Sequence, residues 1–517
     1  MEQQVSYNTG EISRSLTTVA KGSSLIIVGV SIGYLFSFVK RVVLVRSLAP
    51  AQYGLLVLGM SIATIVMVFS SLGLHAGTQR FIAINRGRGD LGRAKGSMYS
   101  AAFMLAIAVM FTMVCLVVLA RPVATILDKP GLAWVIFVLA FMIPAMEIDN
   151  IIVAFYQGFE TATPKVFFID LGLNFSVMAL VILAAFSRRT LGGMMLAIVL
   201  GHWLAATMLC VYLKKRVPEA IKGVKPILEP RKLLLFSLPL AVSASIGVLT
   251  FHADVVMLGY FEESIRVGIY SGAVVLYQTL LVFNSAVEFM FGPVAARMIG
   301  ENKDSELRLL YSSVTKWLTV FMIPLWFIFF CYPSQTIELV FGSEYIGAAF
   351  ALQMLSLGQF MFVAMGPAGM ALIAYGRTKL IMVDSVAVVV SNIIMNWLLI
   401  SWLGINGAAI ATCVSIILGG SLMLGQLHSF YRVNPFTANY NKTVLAGISG
   451  TLVFYFPLRF VLKYTLWVLP FYYVILLVAT IGSMFLAGAI DDLDREFYRK
   501  ARQKVRTVLR QRVFGRQ

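Results

Sequence analysis

The sequence predicts an all-α polytopic membrane protein, and three observations predict it. The chain of 517 residues is 59% hydrophobic and only 13% charged, with a mean hydropathy of +0.85. Soluble domains are roughly half apolar and about a quarter charged. The apolar residues come in uninterrupted runs of about 20, the length of a helix that crosses the hydrocarbon core. Lys and Arg gather in alternate connections between those runs, as they do when one side of a membrane holds the positive charge. Strands are excluded because the runs are too long for membrane β-strands and do not alternate in polarity.

Fourteen runs read as transmembrane helices: 22–46, 53–77, 97–120, 132–157, 165–187, 191–213, 233–260, 267–291, 313–333, 346–374, 379–402, 405–427, 443–462 and 465–488. No short apolar core with a small-residue cleavage site precedes the first run, so that run is expected to be a retained helix. With an even number of spans both termini share a side. An inside N-terminus puts about 32 of the 42 Lys and Arg on the inner side and about 10 outside. Both termini are therefore placed in the cytoplasm, in a multi-pass protein of the cell membrane. The net charge of +18 is then a topology signal rather than a nucleic-acid footprint. The tail 494–516, "DREFYRKARQKVRTVLRQRVFGRQ", is expected to be a basic helix on the anionic inner leaflet.

Catalysis is poorly provided for. Cys115, Cys210, Cys331 and Cys413 are scattered through apolar runs at no metal or redox spacing, and read as small hydrophobes. Four histidines in the whole chain, with no phosphate loop and no zinc spacing, argue against an enzyme and imply no cofactor and no metal. A membrane-embedded polymerase or ligase needs a large polar outer loop, and every outer connection here is short.

The chain matches itself at an offset of about 214 residues. Gly54 of "QYGLL" aligns with Gly268 of "RVGIYSG", and Asp90 with Asp304. "PKVFFID" (164–170) aligns with "TKLIMVD" (378–384), and "LGGMMLA" (191–197) with "INGAAIA" (405–411). The offset spans six helices, so two parallel halves are expected around a pseudo-two-fold axis along the membrane normal, with substrate bound between them. The organisation read from this is a six-helix lobe (1–213), a basic cytoplasmic linker (214–232), a second six-helix lobe (233–430), two added helices (431–490) and a basic tail (491–517). Each chain carries both halves of its cavity, which makes a monomer the default.

Polar groups at membrane depth are costly and mark functional positions. The first half carries Lys40, Arg41, Glu147, Asp149, Asn150 and Asp170. The second carries His252, Asp254, Asn284, Glu288, Asp384, Asn392 and Asn396. Lys40, Arg41 and Arg46 lie at the outer end of the first helix, on the side that positive charge avoids. The offset maps position 40 onto position 254, so a Lys40 or Arg41 to Asp254 ion pair is expected as an outer gate. The bland alternative is that the cations snorkel to headgroups and Asp254 caps its own helix. Pro144 should kink the fourth span. Glu147 and Asp149 after it are candidates to bind a coupling proton or Na+, or to neutralise cavity cations. A spacing of five suits Lys165 and Asp170, or Lys379 and Asp384, poorly for same-face pairing on an α-helix, so each Lys is expected to anchor at the interface and each Asp to sit near the positive N-terminal end of its helix. Asn392 and Asn396, one turn apart, are expected to bridge helices.

"RSLAPAQYGLL" (46–56) resembles the Arg-x-Leu-Gly-Pro-x-x-Tyr-Gly element that follows the first helix of polysaccharide-transporter flippases. "FSLPLAVSASIGVLTFHADVVMLGYFEESIRVGIYSGA" (236–273) resembles their seventh-helix signature, and "LGINGAAIAT" (403–412) their turn between helices 11 and 12. The similarity covers 10–430, with Ala49 where glycine is usual. It implies membership of the multidrug/oligosaccharidyl-lipid/polysaccharide exporter superfamily. The fold it implies is two six-helix bundles in a V around a cationic cavity. The function it implies is flipping of polyprenyl-(pyro)phosphate-linked glycans from the inner to the outer leaflet.

That function explains the cations at the outer end of the first helix. A phosphate crossing hydrocarbon uncompensated would be prohibitive, and Arg binds phosphate bidentately. Lys40, Arg41 and Arg46 would receive the head group near the outer exit. Arg80 and Arg297, at the inner ends of helices 2 and 8, would meet it on the way in, while the prenyl tail stays among the membrane lipids. Asp254, His252, Glu147, Asp149 and Glu288 are the gate or coupling candidates. A cation-coupled multidrug antiporter of the same superfamily is the alternative, and its cavity should be more acidic or aromatic.

Overall fold

The computed structural model describes residues 29–159, 161, 163–187, 190–216, 222–300, 302–461 and 469–489. The start of the first apolar run, linker residues 217–221 and the basic tail lie outside the described residues. So do the side chains of Glu288 and Arg297.

Every element among the described residues is helical. Helix α1 covers 29–47. It is followed by α2 (Pro50–Ser71), α3 (Leu74–Gly87), α4 (Leu91–Ile126), α5 (Pro130–Ala140) and α6 (Met142–Gly158). A π-helix (Lys165–Leu173) then leads into α7 (Asn174–Ser187), and α8 (Leu191–Lys215), α9 (Pro230–Phe261) and α10 (Ser264–Gly300) come next. The remainder is α11 (Asp304–Cys331), α12 (Pro333–Phe341), a 3-10 turn (Ser343–Ala348), α13 (Ala349–Ala364), α14 (Ala368–Ala374), α15 (Thr378–Leu403), α16 (Ile405–Tyr431), α17 (Ala438–Val461) and α18 (Leu469–Leu486).

Among the described residues, nine helical segments are long and apolar enough to cross a membrane, with α2–α3 and α5–α6 each counting as one. The chain is a multi-pass membrane protein. Prolines open α2, α5, α9 and α12, where a missing N–H costs nothing. Asp90 caps α4 by accepting from the Arg93 amide at 3.0 Å, and Thr190 caps α8 by accepting from Gly193 at 3.2 Å.

The described chain divides into two compact units. The first holds residues up to Val275 together with Ile393–Ala408. Its interior is built where α2 packs on α9, α3 on α4 and α6, and α6 on α8. Leu56, Leu58, Leu74, Ile82, Leu132, Ile136, Leu139 and Ile143 are fully buried there. The linker is not a loose tether: Ile227 donates to the Gly92 carbonyl at 2.9 Å, Lys95 to the Val224 carbonyl at 2.9 Å, and Glu229 pairs with Arg93 at 3.6 Å. The second unit holds Leu276–Asn392 and the residues from Ala409 onward. There α11 packs on α13, α17 and α18, with Tyr311 buried and donating to the Met365 carbonyl at 2.5 Å.

Two sequence expectations change on the backbone. The run 53–77 reads as one helix, yet it breaks at Leu72 and Gly73, whose φ angles are 48° and 68°. Lys165 and Asp170 look mismatched at a spacing of five on an α-helix. The segment is π-helical, its hydrogen bonds run from residue to residue five apart, and the Lys165 charge acts on Asp170. Its repeat partner Asp384 sits on regular α15 and instead accepts from Gln426 at 2.7 Å. Pro144 does interrupt its span: α5 ends at Ala140 and α6 starts at Met142. A proline ring collides with the carbonyl four residues back, which is that of Ala140.

Candidate functional site

The polar groups of the first unit converge on α1. Lys40 and Arg41 are half-buried, whereas Arg46, one turn beyond, is exposed. The Arg41 charge acts on the buried Tyr53 of α2, on Tyr34 of α1 and on His252 of α9. The Lys40 charge acts on the buried His202 of α8. His202 fixes its ring by Nδ1 against the Ile198 carbonyl at 2.9 Å, and His252 Nδ1 lies 3.1 Å from Ser61 Oγ. The two cations of α1 thus act on two imidazoles and a phenol drawn from α8, α9 and α2, with the Ser61 hydroxyl beside His252. Such a group offers hydrogen bonds and positive charge to an anion. Tyr53, Ser61 and His202 join it although sequence reasoning did not single them out. His202 carried a usable signal, as a histidine inside an apolar run. Tyr53 stood in the 46–56 element as its tyrosine, and Ser61 carried no signal, because its role depends on which helix faces α1.

Asp254 lies on α9, buried at 6% exposure. Its Oδ1 accepts from Asn396 Nδ2 at 2.8 Å and its Oδ2 from Tyr270 Oη at 3.1 Å. Asn396 therefore bridges α15 to α9. Asn392 Nδ2 donates to Thr412 Oγ1 of α16 at 3.5 Å. Both asparagines bridge helices.

Glu147 and Asp149 sit in the first half of α6, 1% and 3% exposed. Glu147 Oε1 accepts from Ser70 Oγ at 3.1 Å, and Oε2 stands 2.7 Å from His75 Nε2. Both Asp149 oxygens are buried without a hydrogen-bond partner. Arg80 is exposed on α3, its guanidinium 4.4 Å above the Phe236 ring.

At the far end of α9, Lys129 Nζ donates to the carbonyls of Gly259 at 2.5 Å, Glu262 at 2.8 Å and Leu127 at 3.2 Å. It neutralises a helix C-terminus. All four cysteines are free. In the second unit, α17 and α18 enclose a groove of about 1130 Å³ lined by Leu445, Val453, Phe454, Val474 and Val478, with Lys442 among its residues.

A sequence model of the polysaccharide biosynthesis protein family matches residues 19–288, and one named MatE matches residues 239–398. Over 203 residues the chain is 27% identical to the probable low-salt glycan biosynthesis flippase Agl15 of Haloferax volcanii. The match covers 39% of this chain and 43% of that protein, so less than half of the relative's length is spanned. The fold is similar to the lipid II flippase MurJ in an inward closed conformation, with a TM-score of 0.70 and 13% identity over 92% of this chain and 99% of that one. It is also similar to an inward-facing multidrug resistance MATE family transporter, with a TM-score of 0.63 and 12% identity over 77% of this chain and 94% of that one. The proteins it resembles are named as flippases and transporters, not enzymes.

Proposed function

The chain belongs to the polysaccharide biosynthesis protein family, and from that premise we propose that it flips a polyprenyl-(pyro)phosphate-linked oligosaccharide from the inner to the outer leaflet by alternating access. The observation that carries this reading is the pair Lys40 and Arg41. They are half-buried inside a membrane helix, and their charges act on His202, His252 and Tyr53. A cation at that depth is expensive, and an anionic head group offsets the expense for both partners. Arg46 and Arg80, both exposed, would meet the head group outside and inside. The prenyl chain stays in lipid, and the apolar groove of α17 and α18 has the chemistry such a chain needs. The likeness to a glycan flippase supports the substrate class.

In this reading fourteen spans form two repeat-related lobes, 1–213 and 233–430, with linker 214–232 and both termini in the cytoplasm of a monomer in the cell membrane. Asp254, at the repeat position of Lys40, closes the outer side by pairing with Lys40 or Arg41. Cysteine pairs at 40/254 and 41/254 that never cross-link in any state would sink that gate.

The test is leaflet exchange of a fluorescent polyprenyl-pyrophosphate-linked sugar in proteoliposomes, for the wild type and for Lys40→Ala with Arg41→Ala. Flipping by the wild type and loss in the variant is the expected result. Equal flipping by both would move the binding site elsewhere. A second reading, a cation-coupled multidrug antiporter, draws on the MatE match over 239–398 and on the buried Glu147 and Asp149. It predicts uptake of an organic cation and no flipping of the glycolipid probe.

A further inference from the structure

Two short segments between spans, "LDKPG" (127–131) and "YFEES" (260–264), meet at one end of the first unit. Each ends where a helix begins, α5 at Pro130 and α10 at Ser264. Each carries acid just before that start: Asp128 in one, Glu262 and Glu263 in the other. Negative charge is favoured beside a helix N-terminus. Between the segments lies a cleft of about 430 Å³, lined by residues of both and by Leu55 of α2. Small-molecule sites run to about 300–1,000 Å³, so the cleft has room for one ring-sized ligand.

Some of its polar groups are already committed. Lys129 is buried, and the three N–H donors of its ammonium go to the carbonyls of Leu127, Gly259 and Glu262. The Glu262 carboxylate pairs with Arg266 at 3.2 Å and lies against Gly404, where an added Cβ would overlap its Oε1. Lys129 and Glu262 thus brace the two walls. Asp128 and Glu263, both exposed, are left for a ligand. An ionised carboxylate only accepts hydrogen bonds, so that ligand must donate.

Beside these acids stand two rings, Tyr260 and Phe261. Both pack on Trp397 of α15, Tyr260 stacked at 6.1 Å between centroids and Phe261 edge-on at 5.1 Å. Their positions are fixed by those contacts, yet Tyr260 is 51% exposed. The face of an aromatic ring is electronegative.

This set of groups selects by elimination. An anion meets carboxylates and a lysine whose donors are spent. A metal ion needs converging ligands, and among the described residues no three of His, Cys, Asp or Glu are placed to hold one. An organic cation meets Lys129 in the wall and Arg266 beside it, which offset most of the acidic charge. An apolar chain would strip water from the carboxylates without replacing its hydrogen bonds. A sugar ring satisfies both walls. Its hydroxyls donate to Asp128 and Glu263, and its C–H face lies on the aromatic ring.

We propose that the cleft between 127–131 and 260–264 binds a neutral sugar residue. As a sugar site it stands on the cleft itself. As the station that receives a glycan once it has crossed, it rests on the flippase reading and on the topology that puts both segments outside.

The experiment is saturation-transfer NMR on the full chain in lipid nanodiscs, which carry no sugar of their own. The probes are free glucose, galactose, mannose, N-acetylglucosamine, rhamnose and xylose at millimolar concentration, with tetraethylammonium in a parallel sample. The proteins are the wild type, Tyr260→Ala, and Asp128→Gly combined with Glu263→Ala. Glycine suits the left-handed backbone at Asp128, whose φ is 51°. Trp402→Ala, an 88% exposed ring outside the cleft, is the control. The expected result is transfer to at least one sugar in the wild type and in Trp402→Ala, reduced several-fold in the two cleft variants. Transfer to no sugar, transfer that survives both cleft variants, or equal loss in Trp402→Ala overturns the proposal. So does transfer to tetraethylammonium instead, lost in the same variants, which would make the cleft an organic-cation site.

In proteoliposomes, glycolipid flipping should fall several-fold in Tyr260→Ala. Flipping at the wild-type rate in that variant would remove the exit role. Absence of flipping in the wild type would remove the flippase reading itself. In either case the nanodisc result still decides the sugar site.

Discussion

Gly54, in the first turn of α2, and Gly268, in the first turn of α10, meet backbone to backbone, each filling the space the other's missing side chain leaves. A Cβ added at Gly54 would overlap the Ser264 carbonyl oxygen and lie 2.8 Å from the Gly268 amide. A Cβ added at Gly268 would overlap the Pro50 carbonyl oxygen and lie 3.0 Å from the Gly54 amide. Pro50 and Ser264 stand at the same separation in sequence as Gly54 and Gly268, so the contact is reciprocal in the sense of a local two-fold.

Because the overlapped atoms are backbone, the helix ends must part before an alanine fits. Gly54→Ala and Gly268→Ala should each lower thermal stability in detergent, by about 1–3 kcal/mol as for other overpacked sites. Gly425→Ala on α16 is the internal control, since nothing lies within 4 Å of its added Cβ. It should be neutral or stabilising by up to about 1 kcal/mol, the usual gain of replacing a helical glycine. Equal loss in all three would mean that the contact is not specific.

Lys129 should matter for a different reason. Lys129→Met leaves the carbonyls of Gly259 and Glu262 without their buried donor, which costs about 1–3 kcal/mol. Burial pulls the Lys129 ammonium below its ordinary range, opposed by Asp128, Glu263 and Glu262. Between that lowered value and 10.5 the unfolded chain holds more protons than the folded one, so this group's contribution to stability rises with pH across that window. Thermal melts in detergent at a series of alkaline pH values should show the rise in the wild type and lose it in Lys129→Met.

The docked linker should respond to acid. The bond from Lys232 at 2.6 Å, aided by the Lys232 and Arg93 charges, holds the Glu229 carboxyl below its usual range. The stability it lends the linker is fully present above the unfolded value of 4.5 and is lost as pH falls through the lower folded value. A fluorophore at Leu228→Cys, an exposed position, should gain mobility on acidification past that point. In Glu229→Gln its anisotropy should not depend on pH.

The helical class and the membrane setting were legible because run length and charge asymmetry are properties of single segments. The Ala140–Met142 interruption was legible too, since proline acts on a fixed position four residues back. The break at Leu72–Gly73 was not. One glycine in an apolar run is ordinarily tolerated, and the side chain that stabilises this break arrives from α6. Lys165 and Asp170 stand on a π-helical turn that the spacing of five does not reveal, and Asp170 Oδ2 is buried there without a hydrogen-bond partner. Lys40 and Arg41 stood out as charges in an apolar run, but Tyr53, Ser61, His75 and His202 became partners only once helix faces were assigned. Residue type and depth flag the costly charges; which neighbours repay the cost is a property of packing.

Arg41 tests the flippase reading most sharply. If its guanidinium grips a phosphate by two parallel bonds, charge alone does not suffice. Arg41→Lys should then keep the positive potential and lose the fork, lowering glycolipid flipping by about tenfold, the equivalent of roughly 1.4 kcal/mol. Arg41→Ala removes both and should lower it by about a hundredfold or more. The two variants should differ in their response to salt as well. Flipping by Arg41→Lys should fall with added salt, because a point charge in a wet cleft is screened, and Arg41→Ala should respond least. If Lys restores wild-type flipping in full, Arg41 supplies only charge, and the site that holds the phosphate lies among other residues.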